Sequence, residues 1–150
     1  MLSMIRECES PAAFTAQHLS TNDPARAVTL VGVLEFVIDT LAAYPGGDEA
    51  ERLAAWADDA RPGDYLAVGV RGFALAGFQY LRMLFGANTT KPDRHIVNWV
   101  SEAVGREVTD VQALYAIERA AELGGFSAAW LDGMIWKAAT SHSSSPPSGQ

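Results

Sequence analysis

Apolar residues recur along this chain at three- and four-residue intervals in several separate runs, the period of amphipathic helices. Leu30, Leu34, Val37, Ile38 and Leu41 form the first long run. Asp23-Pro24 supplies a capping acceptor and a proline suited to the first helical position, and Tyr44-Pro45-Gly46-Gly47 ends the run. Upstream, Ser10 caps a shorter helix expected to reach about Leu19. Asp48 opens a further helix with Leu53 and Trp56 facing inward, closed near Arg61-Pro62-Gly63. Thr109-Asp110-Val111-Gln112 forms a capping box ahead of Val111, Leu114, Tyr115, Ile117 and Ala121, with Gly124-Gly125 as the stop. Ser127 caps a last helix, predicted to bury Leu131, Met134 and Ile135. Trp56, Trp99, Trp130 and Trp136 each keep helical spacing with aliphatic neighbours and are expected in the core. The most apolar stretch, Val28 to Ile38, reads as a buried helix.

Between Tyr65 and Tyr80 the pattern admits two drawings. Val68, Val70 and Phe73 around Gly72 fit two short strands and a turn as well as they fit helices. Leu75, Phe78, Leu81, Arg82 and Phe85 keep helical spacing until Gly86, which favours helix, turn, helix, with the paired helices at about 62–69 and 75–85. The expected fold class is therefore all-α, a single-domain helical bundle over residues 1–140, followed by a Ser/Pro-rich tail, 141–150, of disordered composition.

Composition narrows the chemistry. The chain's 150 residues suit one domain with a substantial core. Val28 to Ile38 is interrupted by Glu35 and followed by Asp39, well short of the ~20 apolar residues of a membrane span. The charged start around Arg6, Glu7 and Glu9 is unlike a secretory signal, so the expected location is cytoplasmic, nucleoid-associated if the protein binds DNA, with no membrane partner. Cys8 is the only cysteine, which excludes an intramolecular disulfide and any cysteine-held metal centre, and His18, His95 and His142 form no evident ligand set. No metal is expected. The formal net charge is −7, yet residues 61–100 hold 5 basic and 2 acidic side chains against 3 and 10 in residues 1–60. The middle of the chain is its one basic part, the part able to face phosphate.

The same basic part carries the motifs. Gly69-Val70-Arg71-Gly72-Phe73-Ala74-Leu75 reads as a tight turn between helices, and Thr90-Lys91-Pro92-Asp93-Arg94-His95-Ile96 starts another helix. Helix, glycine turn, helix, then proline-aspartate-x-histidine-aliphatic resembles the helix-hairpin-helix DNA glycosylase superfamily over about residues 60–105. Amides exposed at a glycine turn and at the following helix start bind a DNA phosphate without reading sequence. The resemblance assigns that role to Arg71, Gly72, Phe73, Ala74 and Leu75, with Lys91 adding charge, and implies an alkali cation on hairpin carbonyls in some members. Gln79 and Tyr80, beside the hairpin, are candidates for base or backbone contact.

By the same resemblance Asp93 is the carboxylate that stabilises the cationic sugar as a base departs and assists attack by water. The residues alone also make Asp93 an ordinary helix N-cap after Pro92, and the two roles are compatible. His95 is a helix-start and packing residue rather than a proton carrier. The chain departs from the family pattern at the second turn glycine, which is Ala74, and at the Schiff-base lysine, where Ala76 stands. The resemblance therefore implies no lyase step through that lysine. The implied function is DNA binding through the hairpin, with monofunctional hydrolysis of an N-glycosidic bond on double-stranded DNA. Two rivals are a non-enzymatic DNA-recognition module and a helical interaction protein that has lost DNA activity.

Overall fold

The computed structural model describes residues 2–142, and the fold is all-α: no strand occurs among the described residues. Helices α1 (Leu2–Glu7), α2 (Pro11–Leu19), α3 (Pro24–Ala43) and α4 (Glu49–Asp59) are followed by a single 3₁₀ turn, Pro62–Asp64, that runs into α5 (Tyr65–Val68). Then come α6 (Leu75–Leu84), α7 (Arg94–Val104), α8 (Asp110–Gly124) and α9 (Ala128–His142). The two helices flanking Gly72 settle the ambiguous segment in favour of helix, turn, helix. The last helix carries two residues of the expected tail, and residues 143–150 lie outside the described residues.

The caps read from the sequence form. Ser10, Asp23 and Thr109 accept from the amides of Ala13, Ala25 and Gln112 at 3.1, 2.9 and 3.2 Å, each satisfying a donor the helix itself leaves unpaired. Asp48 and Glu51 add a reciprocal capping box at the start of α4.

The chain divides into two compact units, Met1–Ala74 and Leu75–Gln150. In the first, α2 packs on α3 and α3 on α4. Trp56 is buried and meets the Phe36 ring edge-on at 5.5 Å, and Arg52 reaches across to donate to the Leu41 carbonyl at 2.7 Å. In the second, α7, α8 and α9 pack mutually around Ile96, Val100, Ala113, Ile117 and Ile135. Among the described residues no group of three or more His, Cys, Asp or Glu is placed to hold a metal, and no helix is long and apolar enough to cross a membrane.

Several core expectations are corrected. Trp99, Trp130 and Trp136 are 44%, 50% and 50% exposed, against 6% for Trp56. Three-helix packing buries a narrow stripe on each helix, and on α7 and α9 that stripe is held by Ile96, Val100 and Ile135, which turns the tryptophans outward. Met134 is exposed for the same reason, as are Val111 and Tyr115 on α8, where Ala113, Leu114, Ile117 and Ala121 take the buried side. The apolar α3 is not a buried helix either. Val28 and Ile38 are exposed and most of its other apolar residues are half-buried, because α2 and α4 cover only part of its circumference.

Ile96 is 1% exposed in the second unit, so Ile96→Ala is expected to cost about 2–5 kcal/mol in denaturant unfolding. The exposed Leu123→Ala should stay within about 0.5 kcal/mol.

Candidate functional site

The turn after α5 is built by local chemistry. The Phe73 amide donates to the Val70 carbonyl at 3.0 Å, closing a four-residue turn with Gly72 in third place at φ +82°. That position of such a turn requires positive φ, which glycine reaches without penalty. Space makes the same demand, since a Cβ on Gly72 would lie 2.7 Å from Thr29 Oγ1. The Thr29 hydroxyl stands 2.8 Å from the Arg71 carbonyl and 3.0 Å from its own helix's Ala25 carbonyl, with one proton for the two. Val70 rests against α3 where Gly32 has no side chain, 2.9 Å from where a Cβ would be. The turn is thus clamped onto α3, and the Arg71 side chain is left exposed.

One expectation for the turn changes. The Phe73 amide is spent inside the turn and is not offered to a phosphate. The Val70 carbonyl accepts from the Phe73 amide, and the Arg71 and Ala25 carbonyls share the single Thr29 hydroxyl proton. The backbone around Gly72, Ala74 and Leu75 keeps its candidacy: Ala74, directly before α6, has no side-chain acceptor to cap the leading amides of that helix. The Leu75 side chain itself is buried. Gly72 belongs to the first unit, and α6 opens the second.

On α6, Gln79 and Tyr80 separate. Gln79 shares the inward side of the helix with Leu75, Phe78 and Arg82 and is fully buried. Arg82 Nη1 donates to its Oε1 at 2.8 Å, and its Nε2 is buried without a hydrogen-bond partner. Gln79 is therefore a packing residue and does not reach a base or backbone. Tyr80, one residue on, is exposed.

The connection from α6 to α7 is irregular backbone that runs partly buried, and polar side chains secure it. Asn88 accepts from the first amide of α9, at Ala128, at 2.8 Å. The Thr89 hydroxyl donates to Glu118 on α8 at 2.7 Å. Asp132, buried on α9, accepts through Oδ2 from the Thr90 hydroxyl at 2.6 Å and from the Lys91 amide at 2.8 Å. Asn88, Thr89, Glu118 and Asp132 were not singled out in the sequence. The available signal was an acidic residue, Asp132, at a position in α9 that helical spacing turns inward beside Leu131 and Ile135.

This strap delivers Asp93 to the start of α7. Its Oδ1 accepts from the His95 and Ile96 amides at 2.9 and 3.3 Å, and its Oδ2 pairs with Lys91 Nζ at 2.9 Å. Lys91 Nζ also stands over the Tyr80 ring, 5.4 Å from its centroid. Burial alone would raise the Asp93 pKa, but the Lys91 ammonium and the two amides outweigh it and hold the carboxyl below the ordinary aspartate value. The structure brings Tyr80, Lys91 and Asp93 together as an ionised, oriented carboxylate with a cation and an aromatic face beside it. Clefts of this unit that are lined by α7 residues and flank Trp99 do not include Asp93.

Gly72→Ala should destabilise the protein by about 1–2 kcal/mol through its positive φ, with a further loss from the Thr29 contact. In a Thr29→Ala background the cost should shrink, which denaturant unfolding of the double-mutant cycle reads directly. Asp93→Ala should cost about 1 kcal/mol as a lost cap, whereas Asp93→Asn, an equally good cap, should fold nearly as well. A depressed folded-state pKa contributes stability that is complete above the unfolded value of about 3.9 and vanishes as pH falls through the folded value. The stability difference between wild type and Asp93→Asn should accordingly be flat above about pH 5 and change below about pH 4.

Residues 69–140, from the C-terminus of α5 through nearly all of α9, match a family model described as a domain of unknown function, DUF8548. No curated protein matches the chain, and no solved structure does.

Proposed function

We propose that the protein is a DNA-binding protein of helix-hairpin-helix type, with the leading amides of α6 as its phosphate contact. In this reading Asp93 is the carboxylate of a monofunctional N-glycosidic hydrolysis. The observation that carries the proposal is the state of Asp93: a carboxylate held ionised and aimed by two helix-start amides, with Lys91 at 2.9 Å. A fixed anion of this kind stabilises positive charge developing on a sugar as its base leaves, and its cost of orientation is met by the fold before the substrate arrives. Ala76, where bifunctional relatives of the resemblance carry lysine, keeps the chemistry to hydrolysis. Lys91 and the leading amides of α6 would position the duplex by its phosphates, and the base would have to leave the stack to reach Asp93.

A second reading, a DNA-recognition module without catalysis, is favoured by the occupancy of Asp93. Oδ1 serves two amides and Oδ2 serves Lys91, which is what a purely structural cap would show.

The test is binding, titrated with salt, to matched duplexes with and without a stable abasic-site analogue, together with base release from duplexes carrying deaminated, alkylated or oxidised bases. Tighter binding to the abasic duplex is expected, weakening by about 0.9 logarithmic units per phosphate contact for each tenfold rise in salt. Arg71→Ala, which removes an exposed side chain, should weaken binding to both duplexes about equally. Asp93→Asn should keep binding and abolish base release. Binding without release from any duplex selects the recognition module, and no binding at low salt refutes both readings.

A further inference from the structure

Helix α7 presents a second, different surface. His95, Asn98, Trp99 and Glu102 fall at i, i+3, i+4 and i+7, hence on one face of the helix, away from the buried Ile96 and Val100. Facing them across a cleft of about 400 Å³ are Ala138 and Ala139 of α9, whose small side chains leave the space open. Trp99 and Glu102 also border an adjoining cleft of about 300 Å³ with Ala103, so the pair forms a ridge reachable from two sides. Trp99 is 44% exposed, whereas Ile96 and Val100 on the same helix are buried.

The chemistry of this lining is one-sided. Among its described residues Glu102 carries the only full charge of fixed sign, with no lysine or arginine, and Lys137, next to Ala138, is exposed but does not line the cleft. A carboxylate accepts hydrogen bonds and donates none, and the face of an indole attracts positive charge. Asn98 adds an amide oxygen as a further acceptor. A planar cation meets all three demands: it stacks on the ring, donates in pairs to a carboxylate, and is weakly enough hydrated to leave water. We propose that the α7/α9 cleft is a guanidinium-binding site, with Trp99 as the stacking platform and Glu102 as the counter-ion. The guanidinium belongs either to a free guanidino compound or to an arginine side chain of a peptide, and the site is independent of Asp93 and of any DNA activity.

The test follows the Trp99 indole N–H resonance of the full chain, assigned by Trp99→Leu, during titration with N-acetylarginine methylamide. The neutral citrulline analogue and the lysine analogue serve as controls. Saturable shifts with the arginine compound in the millimolar range are expected, with the citrulline analogue about fivefold weaker and the lysine analogue in between. Glu102→Gln, at an exposed position, should weaken the arginine compound about three- to fivefold and leave the citrulline analogue unchanged. The proposal fails if the Trp99 signal does not respond at about 50 mM ligand. It also fails if citrulline and arginine compounds bind equally, or if Glu102→Gln changes nothing. A single-arginine hexapeptide that binds about tenfold more tightly than the amide supports the site with a peptide as its source. Equal binding supports the site with a free guanidino compound as its source.

Discussion

Irregular backbone that passes through a partly buried region must find partners for its amides and carbonyls, because each unpaired group there costs about 1–3 kcal/mol. The link between α6 and α7 is such a segment, and Asp132 is the residue on which it depends. One of its carboxylate oxygens receives both the Thr90 hydroxyl and the Lys91 amide, while Asn88 and Glu118 hold the neighbouring turns of the path. The direction in which the chain enters α7 is thereby set by α8 and α9. With it are set the position of Asp93 as N-cap and the reach of Lys91 to its carboxylate. The candidate site is a consequence of this polar strap, and it would move if the strap were loosened.

The Gly72 turn obeys a different constraint, one of contact rather than polarity. Positive φ and the absence of room for a Cβ coincide at Gly72, and the partner that removes the room, Thr29, also bonds the turn's backbone. A helix distant in sequence therefore fixes the geometry of a four-residue turn. Closing the turn consumes the Phe73 amide. What the turn can offer an anion is thus narrower than its sequence implies. It comprises the exposed Arg71 side chain and the backbone on either side of Phe73.

Charge and surface apolarity divide the chain's chemistry in space. Lys91, one of the five basic residues between 61 and 100, is committed to Asp93 and Tyr80. Arg82, another, is buried against Gln79. The basic excess read along the sequence is consequently smaller at the surface than the count of residues implies. The face of α7 around Trp99 and Glu102, by contrast, brings an exposed aromatic ring and a carboxylate together in a region whose net charge alone promised nothing.

Local rules determined a great deal. Helix positions followed from apolar period, and the caps at Ser10, Asp23, Asp48, Asp93 and Thr109 followed from side chains that bond amides two or three residues away. The helix, turn, helix at Gly72 was legible because one glycine broke an otherwise helical pattern. Burial was legible only in part. An apolar residue at helical spacing has a face, but which face is covered depends on which helix arrives, and on α7 and α9 the aliphatic side was chosen over Trp99, Trp130 and Trp136. The inward turn of Gln79, the pairing of Lys91 with Asp93 and the strap through Asp132 were likewise decided by tertiary structure. Each is a choice among partners that chain-local physics leaves open: the Asp132–Thr90 bond joins residues forty-two positions apart, and no period or cap in the sequence encodes it.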